Sequence, residues 1–235
     1  MFALVAILPA LANAKWPDAK EGETFKHAIL EVRPTQPAVG QMAVEEKVEN
    51  LRRLSHDDQK AYLKKRPIPV VAAPNGRFYL IDHHHQTLAA LYTGWTEAYY
   101  VLEKDYSELK NMSTFWARMK KKQWVRPFDH EGKPIVIPDG LPRSITDVAD
   151  DPYRSLAYYV RNAGGYEKTS IEFAEFHWAD FFRTRIRIWD SSADFNRALS
   201  DALALSHDPS ASHLPGWEVS PLACKEWLRE RIRNP

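Results

Sequence analysis

Residues 68–94 constrain this chain more than any other stretch. Ile68-Pro69-Val70-Val71-Ala72 and Arg77-Phe78-Tyr79-Leu80-Ile81 are strand-like runs joined by Ala73-Pro74-Asn75-Gly76. Proline presets a turn corner and Asn-Gly accepts positive φ, so the two runs read as a hairpin. Asp82-His83-His84-His85-Gln86 follows at once, and from Thr87 to Thr93 Leu88 and Leu91 recur at helical spacing before Gly94. Three histidines therefore stand where a strand hands over to a helix. A helix amino terminus carries unpaired N–H groups and partial positive charge, which suits a phosphate. Imidazoles beside it can donate hydrogen bonds or carry charge near neutral pH. Adjacent residues on a tight turn point in different directions, so at most two rings face one ligand. Plainer roles compete: Asp82 as a helix cap, histidines exposed on the turn, or one ring hydrogen-bonded in the core. As turn residues, the histidines are expected to contribute little to the core.

The flanking sequence supplies the rest of a small mixed α/β unit. His27 to Val32 reads as a first strand ended by Arg33-Pro34-Thr35-Gln36-Pro37. Val44, Val48 and Leu51 share one helical face, with Glu45, Glu46, Lys47, Glu49 and Arg52 outside it. A second short helix is expected over Asp57 to Lys64, capped by Ser55 or Asp57, and a strand over Thr96 to Glu103. Beyond Pro127–Asp147, a long connection with one short strand at Pro134–Ile137, the pattern turns helical. One helix begins at Pro152 and ends before Gly164-Gly165; others are expected over Ser170–Arg187, Ser191–Leu205 and Pro221–Arg233. The fold class is α+β, with a small mixed sheet core at residues 15–110 and a mostly helical extension at 111–235. That extension is expected to pack on the core through Leu156, Tyr159, Phe173, Phe176 and Trp178.

Bulk properties exclude several classes. With 44% hydrophobic residues and eight tryptophans among 235, the chain can build a proper core and is not globally disordered. A net charge of +1 leaves no whole-molecule attraction to nucleic acid or anionic lipid, so any such attraction must be local. Cys224 is the single cysteine, which rules out an intrachain disulfide and a cysteine-based zinc site. Phe2 to Leu11 is almost unbroken apolar sequence followed by Ala12-Asn13-Ala14, the pattern of an export signal cleaved after Ala14. No Lys or Arg precedes that run, and a buried amino-terminal strand or helix is the competing reading. The run is too short to leave a transmembrane segment in the mature chain.

Other groups invite functional roles. Glu45 and Glu46 open the first predicted helix and would serve as general base or metal ligand if that end faces the turn; otherwise they complement the helix dipole. Arg118, Lys120, Lys121 and Lys122, interleaved with Phe115, Trp116 and Trp124, can track a nucleic acid strand, or form a solvated helix face over buried aromatics. Arg154, Glu175, His177 and Arg183 either close over the histidine turn or form ion pairs between helices.

The turn resembles the signature of the ParB/sulfiredoxin-like superfamily, in which a strand leads into Asp-Gly-His-His-Arg and a helix beginning Leu-x-Ala-Leu. Here the turn reads Asp82-His83-His84-His85-Gln86, followed by Leu88, Ala89, Ala90 and Leu91. Arg33-Pro34-Thr35-Gln36 and the helix from Val44 also match the family's first strand-loop-helix, so this likeness spans about residues 25 to 105. Asp151-Pro152-Tyr153-Arg154-Ser155-Leu156-Ala157 and Glu175-Phe176-His177-Trp178-Ala179-Asp180-Phe181-Phe182-Arg183 resemble the helical half of a branch described as ParB-like nucleases. Two positions depart from the pattern. His83 replaces the family glycine and Gln86 the family arginine, which removes a bidentate phosphate clamp. Sulfiredoxin chemistry needs a cysteine at the place of His84 and is ruled out. Gln36 stands near the acidic residue of the serine-kinase relatives and cannot act as a base.

The resemblance implies a nuclease or nucleotide-dependent phosphoester or phosphoryl-transfer protein, with Mg2+ as a possible metal and no organic cofactor. In that scheme His84 and His85 are catalytic and stabilise phosphate charge. Asp82, His83, Gln86 and Thr87 frame the ligand, and Arg33 and Gln36 approach from the upstream loop. The alternative is a binding protein that keeps the pocket without the chemistry, which the neutral Gln36 and Gln86 favour. The export reading has its own test: terminal sequencing from the native host should find a mature chain starting at Lys15. Retention of Met1–Ala14 on cytosolic protein would refute it.

Overall fold

The computed structural model describes residues 18–188 and 192–218. The export-like segment, the expected helix at Pro221–Arg233 and Cys224 lie outside them. Four strands form the central sheet: β1 (Thr24–Ala28), β3 (Ile68–Ala73), β4 (Arg77–Leu80) and β5 (Glu97–Asp105), in the order β1-β5-β3-β4. β3 and β4 are the expected hairpin, with Val70 opposite Leu80 and Ala72 opposite Phe78. β5 runs antiparallel to β1 and parallel to β3.

The period-two pattern decides which side chain goes to which face. Ile68, Val70, Ala72, Phe78, Leu80, Tyr100 and Leu102 face one cluster, shared with Val44, Val48 and Leu51 of α1 (Gln41–Arg52), Leu63 of α2 (His56–Lys65) and Leu88 of α3 (His84–Tyr92). Val71, Ala73 and Tyr79 face the other side, where α4 (Met112–Lys121) covers them with Phe115, Trp116 and Met119. The sheet is thus buried on both faces. Local signals start the helices: Ser55 accepts from Asp58 N to cap α2, and Asn111 accepts from Thr114 N to cap α4.

Several expectations need correction. The first strand lies at Thr24–Ala28, and Ile29–Glu31 form a 3-10 turn. Ile29 and Val32 are both fully buried at a spacing of three, which fits that turn and not a strand's alternation. Pro134 makes one isolated bridge with Phe128 in place of the expected strand. The helix expected over Ser170–Arg187 is confined to α6 (Ala174–Arg183). A two-stranded parallel ladder, β2 (Ala38–Val39) with β6 (Ala149–Asp150), is legible in neither segment alone.

The helical half has its own core. Leu156, Tyr159 and Val160 of α5 (Pro152–Asn162) cluster with Trp178, Phe181 and Phe182 of α6 and Leu199 and Leu203 of α7 (Ser192–Ser206). Leu156, Tyr159 and Trp178, expected to pack on the core, lie instead in this cluster, where neighbouring helices cover their apolar face. The two halves meet through backbone and polar contacts. Asp151 N donates to Val39 O at 2.7 Å, Gln41 N donates to Asp150 Oδ1 at 2.8 Å, and Arg126 binds Asp180. Asp151 accepts from Tyr153 N and Arg154 N to cap α5, with Pro152 in the first turn.

Gly40 is the tightest point of that joint. A Cβ there would lie 2.6 Å from Ser155 N and 2.7 Å from Ser155 Oγ. Its φ of −84° suits any residue, so the demand is for space alone. Gly40→Ala should lower unfolding free energy by about 1–3 kcal/mol in a denaturant titration, the usual range for overpacking. A change within about 0.5 kcal/mol, ordinary for an open surface position, would show that the joint yields freely.

Candidate functional site

The end of β4 leads through Ile81 and Asp82 into α3, where the histidine turn forms the floor of a cavity of about 430 Å³. Its walls come from α1 through Ala43 and Lys47, from α5 through Arg154, Tyr158 and Arg161, and from the segment Tyr166–Phe176. The volume falls in the range of small-molecule sites.

Each residue of the turn has separate work. His83 is the N-cap of α3 and adopts φ 62°, ψ 27°, the left-handed region. That conformation accounts for a glycine at this place in the resembled signature; a histidine bears it at some cost. His83 N donates to Asp82 Oδ1 at 2.6 Å. His84 turns inward, 1% exposed, and its Nε2 accepts from Thr35 N at 3.1 Å. His85 Nε2 accepts from Gly40 N at 3.1 Å, and Gln86 Nε2 donates to Arg66 O at 2.6 Å. Thr87 Oγ1 donates back to His83 O.

An imidazole nitrogen that accepts a backbone N–H is unprotonated, so both rings are held neutral with the proton on Nδ1. Burial pushes His84 down to about 4. Burial, with Arg154 and Lys47 adding repulsion, pushes His85 well below the ordinary range. Of the two roles the sequence allows these rings, hydrogen-bond donation is compatible with the neutral form and carrying charge near neutral pH is not. The expectation that these side chains matter little to the core is corrected too, since His84 lies inside it and ties the turn to Thr35.

Positive charge comes from elsewhere. Lys47 is half-buried, and burial lowers its pKa. Arg154 and Arg161 hold the two oxygens of Glu175, one each. Arg154 is 7% exposed, yet its Nε and Nη1 have no hydrogen-bond partner among the described residues. Glu172 also lines the cavity, its carboxyl raised by burial and by the nearby Asp82. Among the described residues no group of three or more His, Cys, Asp and Glu side chains gathers to form a metal cage.

The sequence-predicted residues divide accordingly. Gln36, Asp82, His83, His85 and Gln86 line the cavity. His84 and Thr87 lie beneath it as structural groups. Arg33 is not brought there: its backbone pairs with Phe78 and Leu80, and its side chain lies near Arg77, Tyr79 and Arg143. Glu45 accepts from Gln41 and Glu46 from Tyr158, and neither carboxylate lines the cavity. Of the second-half residues, Arg154 and Glu175 do close over the turn, whereas Arg183 pairs with Asp151. Lys47, Tyr158 and Arg161 escaped the sequence reading. Arg154, Tyr158 and Arg161 stand at i, i+4 and i+7, one face of α5 opposite its apolar one, and that spacing was the available signal. Arg118, Lys120, Lys121 and Lys122 are exposed on and just after α4, outside the cavity, without an ion pair among the described residues.

Comparison with known proteins fits this geometry. A family model described as "Putative ParB-like nuclease" matches residues 25–184. The crystal structure of protein Atu1540 from Agrobacterium tumefaciens is 40% identical and superposes with a TM-score of 0.75. The match covers 83% of this chain and 98% of that one. No curated protein matches the chain.

The buried neutral rings set a pH dependence. A histidine whose pKa is depressed on folding stabilises the fold fully above its unfolded value of about 6.5, and that contribution is lost as pH falls toward 4. For His84 the loss is on the order of 3 kcal/mol. His84→Gln keeps an acceptor for Thr35 N and removes the titration. Melting temperatures recorded from pH 7.5 to pH 4.5 should fall less steeply in the variant, though from a lower start. An unchanged slope would exclude His84 as a titrating group.

Proposed function

The chain belongs to the ParB-like nuclease family, and from that premise we propose that it binds a nucleotide or another phosphate ester over the histidine turn and acts on its phosphoester bond. The observation that carries this reading is the convergence of Lys47, Arg154 and Arg161 on a cavity floored by the amino terminus of α3. Phosphoryl and phosphoester chemistry asks chiefly for positioning and stabilisation of negative charge. The cations supply charge, and the first N–H groups of α3 supply donors that no helical carbonyl can take. His85, fixed by Gly40, offers its Nδ1–H as a neutral donor. Asp82 and Glu172 are the carboxylates that would hold Mg2+ together with phosphate oxygens, and the ion would neutralise charge on the reacting phosphate. A cation there would also relieve the repulsion that raises Glu172.

Exposed Arg118, Lys120, Lys121 and Lys122 form the proposed track for a nucleic acid strand beyond the cavity. The proposed setting is outside the cytosol, on the strength of the Phe2–Ala14 pattern. No helix among the described residues is long and apolar enough to cross a membrane.

A second reading, a binder without catalysis, is favoured by one observation: Nε2 of both His84 and His85 is already occupied by a backbone N–H. Incubation with nucleotides, single-stranded DNA and duplex DNA, each with and without Mg2+, separates the two. Cleavage or phosphate release supports the enzyme, and tight binding without turnover supports the binder. Lys47→Met tests the site itself, since a charge-assisted bond is worth roughly 1.5–3 kcal/mol. Calorimetric affinity for a nucleotide should drop about tenfold or more, with no loss of melting temperature. Unchanged affinity in a folded variant would remove Lys47 from the site and undercut the reading.

A further inference from the structure

The arginine pair on α5 is satisfied from inside the chain in an unusual way. Arg154 and Arg161 lie on the cavity face of one helix, and Glu175, in the first turn of α6, bridges them. Glu175 is the one carboxylate that either guanidinium binds among the described residues. The bridge leaves Arg154 with two buried donors, Nε and Nη1, that meet no acceptor among the described residues. A buried guanidinium left half-paired is costly, and two unmet donors on a residue that lines a cavity mark a place built for more acceptor atoms than one carboxylate brings. Arg154 also packs against the ring of Phe176, its guanidinium carbon 5.3 Å from the centroid, which limits how it can turn away. Lys47, from α1, adds a third cation to the cavity lining and forms no ion pair among the described residues.

We propose that Glu175 holds the place of a phosphate group, and that the cavity selects a terminal phosphomonoester over a phosphodiester because only the dianion displaces this tethered carboxylate. The inference rests on the phosphate-binding reading above and deepens it. Glu175 is delivered by its own backbone and so competes at a high effective concentration. A phosphodiester brings one negative charge and two free oxygens, so exchanging it for a carboxylate gains almost nothing in Coulomb energy. A phosphomonoester carries between one and a half and two charges near pH 7 and three acceptor oxygens. Those oxygens can meet the open donors of Arg154 and Lys47 as well as the position that Glu175 vacates. Glu175 thereby becomes a specificity residue. A nucleoside monophosphate and the phosphorylated end of a nucleic acid strand share this chemistry.

Calorimetry on the full chain distinguishes these sources, using AMP, 3′,5′-cyclic AMP, and one short single-stranded DNA with and without a 5′-phosphate. AMP should bind about tenfold tighter than cyclic AMP if the monoester is read from a free nucleotide, and the phosphorylated strand should show the same advantage over its unphosphorylated form if the end of a strand is read. E175Q, which keeps the shape and drops the charge, should bind every phosphate more tightly and narrow the difference between monoester and diester. Its melting temperature should rise more with added inorganic phosphate than that of the native chain, because phosphate replaces the lost counter-charge. Should E175Q fail to fold, E175D, one methylene shorter, carries the same comparison with a smaller effect. Equal affinity for monoester and diester in the native chain, or weaker phosphate binding by E175Q, overturns this inference and leaves the phosphate site standing. Absence of phosphate binding in both proteins overturns the underlying reading as well.

Discussion

Hydrogen bonds from the first turn of α3 hold three separate segments in register, and the rest of the site depends on them. His84 takes the N–H of Thr35, His85 takes the N–H of Gly40, and Gln86 gives its amide to the carbonyl of Arg66. Each partner would otherwise be a backbone group near the protein interior with no ladder to join, and an unmet group of that kind costs as much as a lost hydrogen bond. The same bonds fix where α1 starts, because Gly40 is its N-cap. Through Gly40 they also fix where α5 sits, because Ser155 rests directly on the missing side chain. The histidine turn is therefore a structural hub whose outer surface doubles as the floor of the cavity.

The chemistry of the walls follows from that arrangement. With both imidazoles neutral, the positive charge lining the cavity is that of Lys47, Arg154 and Arg161, which come from α1 and α5. Their mutual repulsion and burial would be unfavourable without a counter-charge, and Glu175 provides it from α6. A buried pair of this kind contributes little net stability, but it fixes the two guanidinium groups in place.

Much of the frame was legible locally. The hairpin from Ile68 to Leu80 follows from Pro74-Asn75-Gly76 between two strand-like apolar runs, and α1, α2 and α5 follow from apolar spacing and caps. The first strand was misplaced because Ile29 and Val32 look β-like until their spacing of three is matched to a buried 3-10 turn. The ladder of Ala38–Val39 with Ala149–Asp150 was invisible because four residues carry no pattern and pair across more than a hundred positions. Lys47 was read as an ordinary solvent-facing residue, since a helix pattern tells only which face is polar and not what stands opposite it.

By itself the sequence determined the strand-turn-helix at residues 77–92 and the family likeness, because both depend on residue types at short, fixed spacings. Tertiary structure alone decided what each histidine does. Three identical side chains in a row are alike to any local rule, and they differ here because Thr35 and Gly40 happen to present their N–H groups to two of them. It also decided that the partner of Arg154 and Arg161 is Glu175, a carboxylate placed by the packing of α6 against α5 and by nothing nearer in the chain.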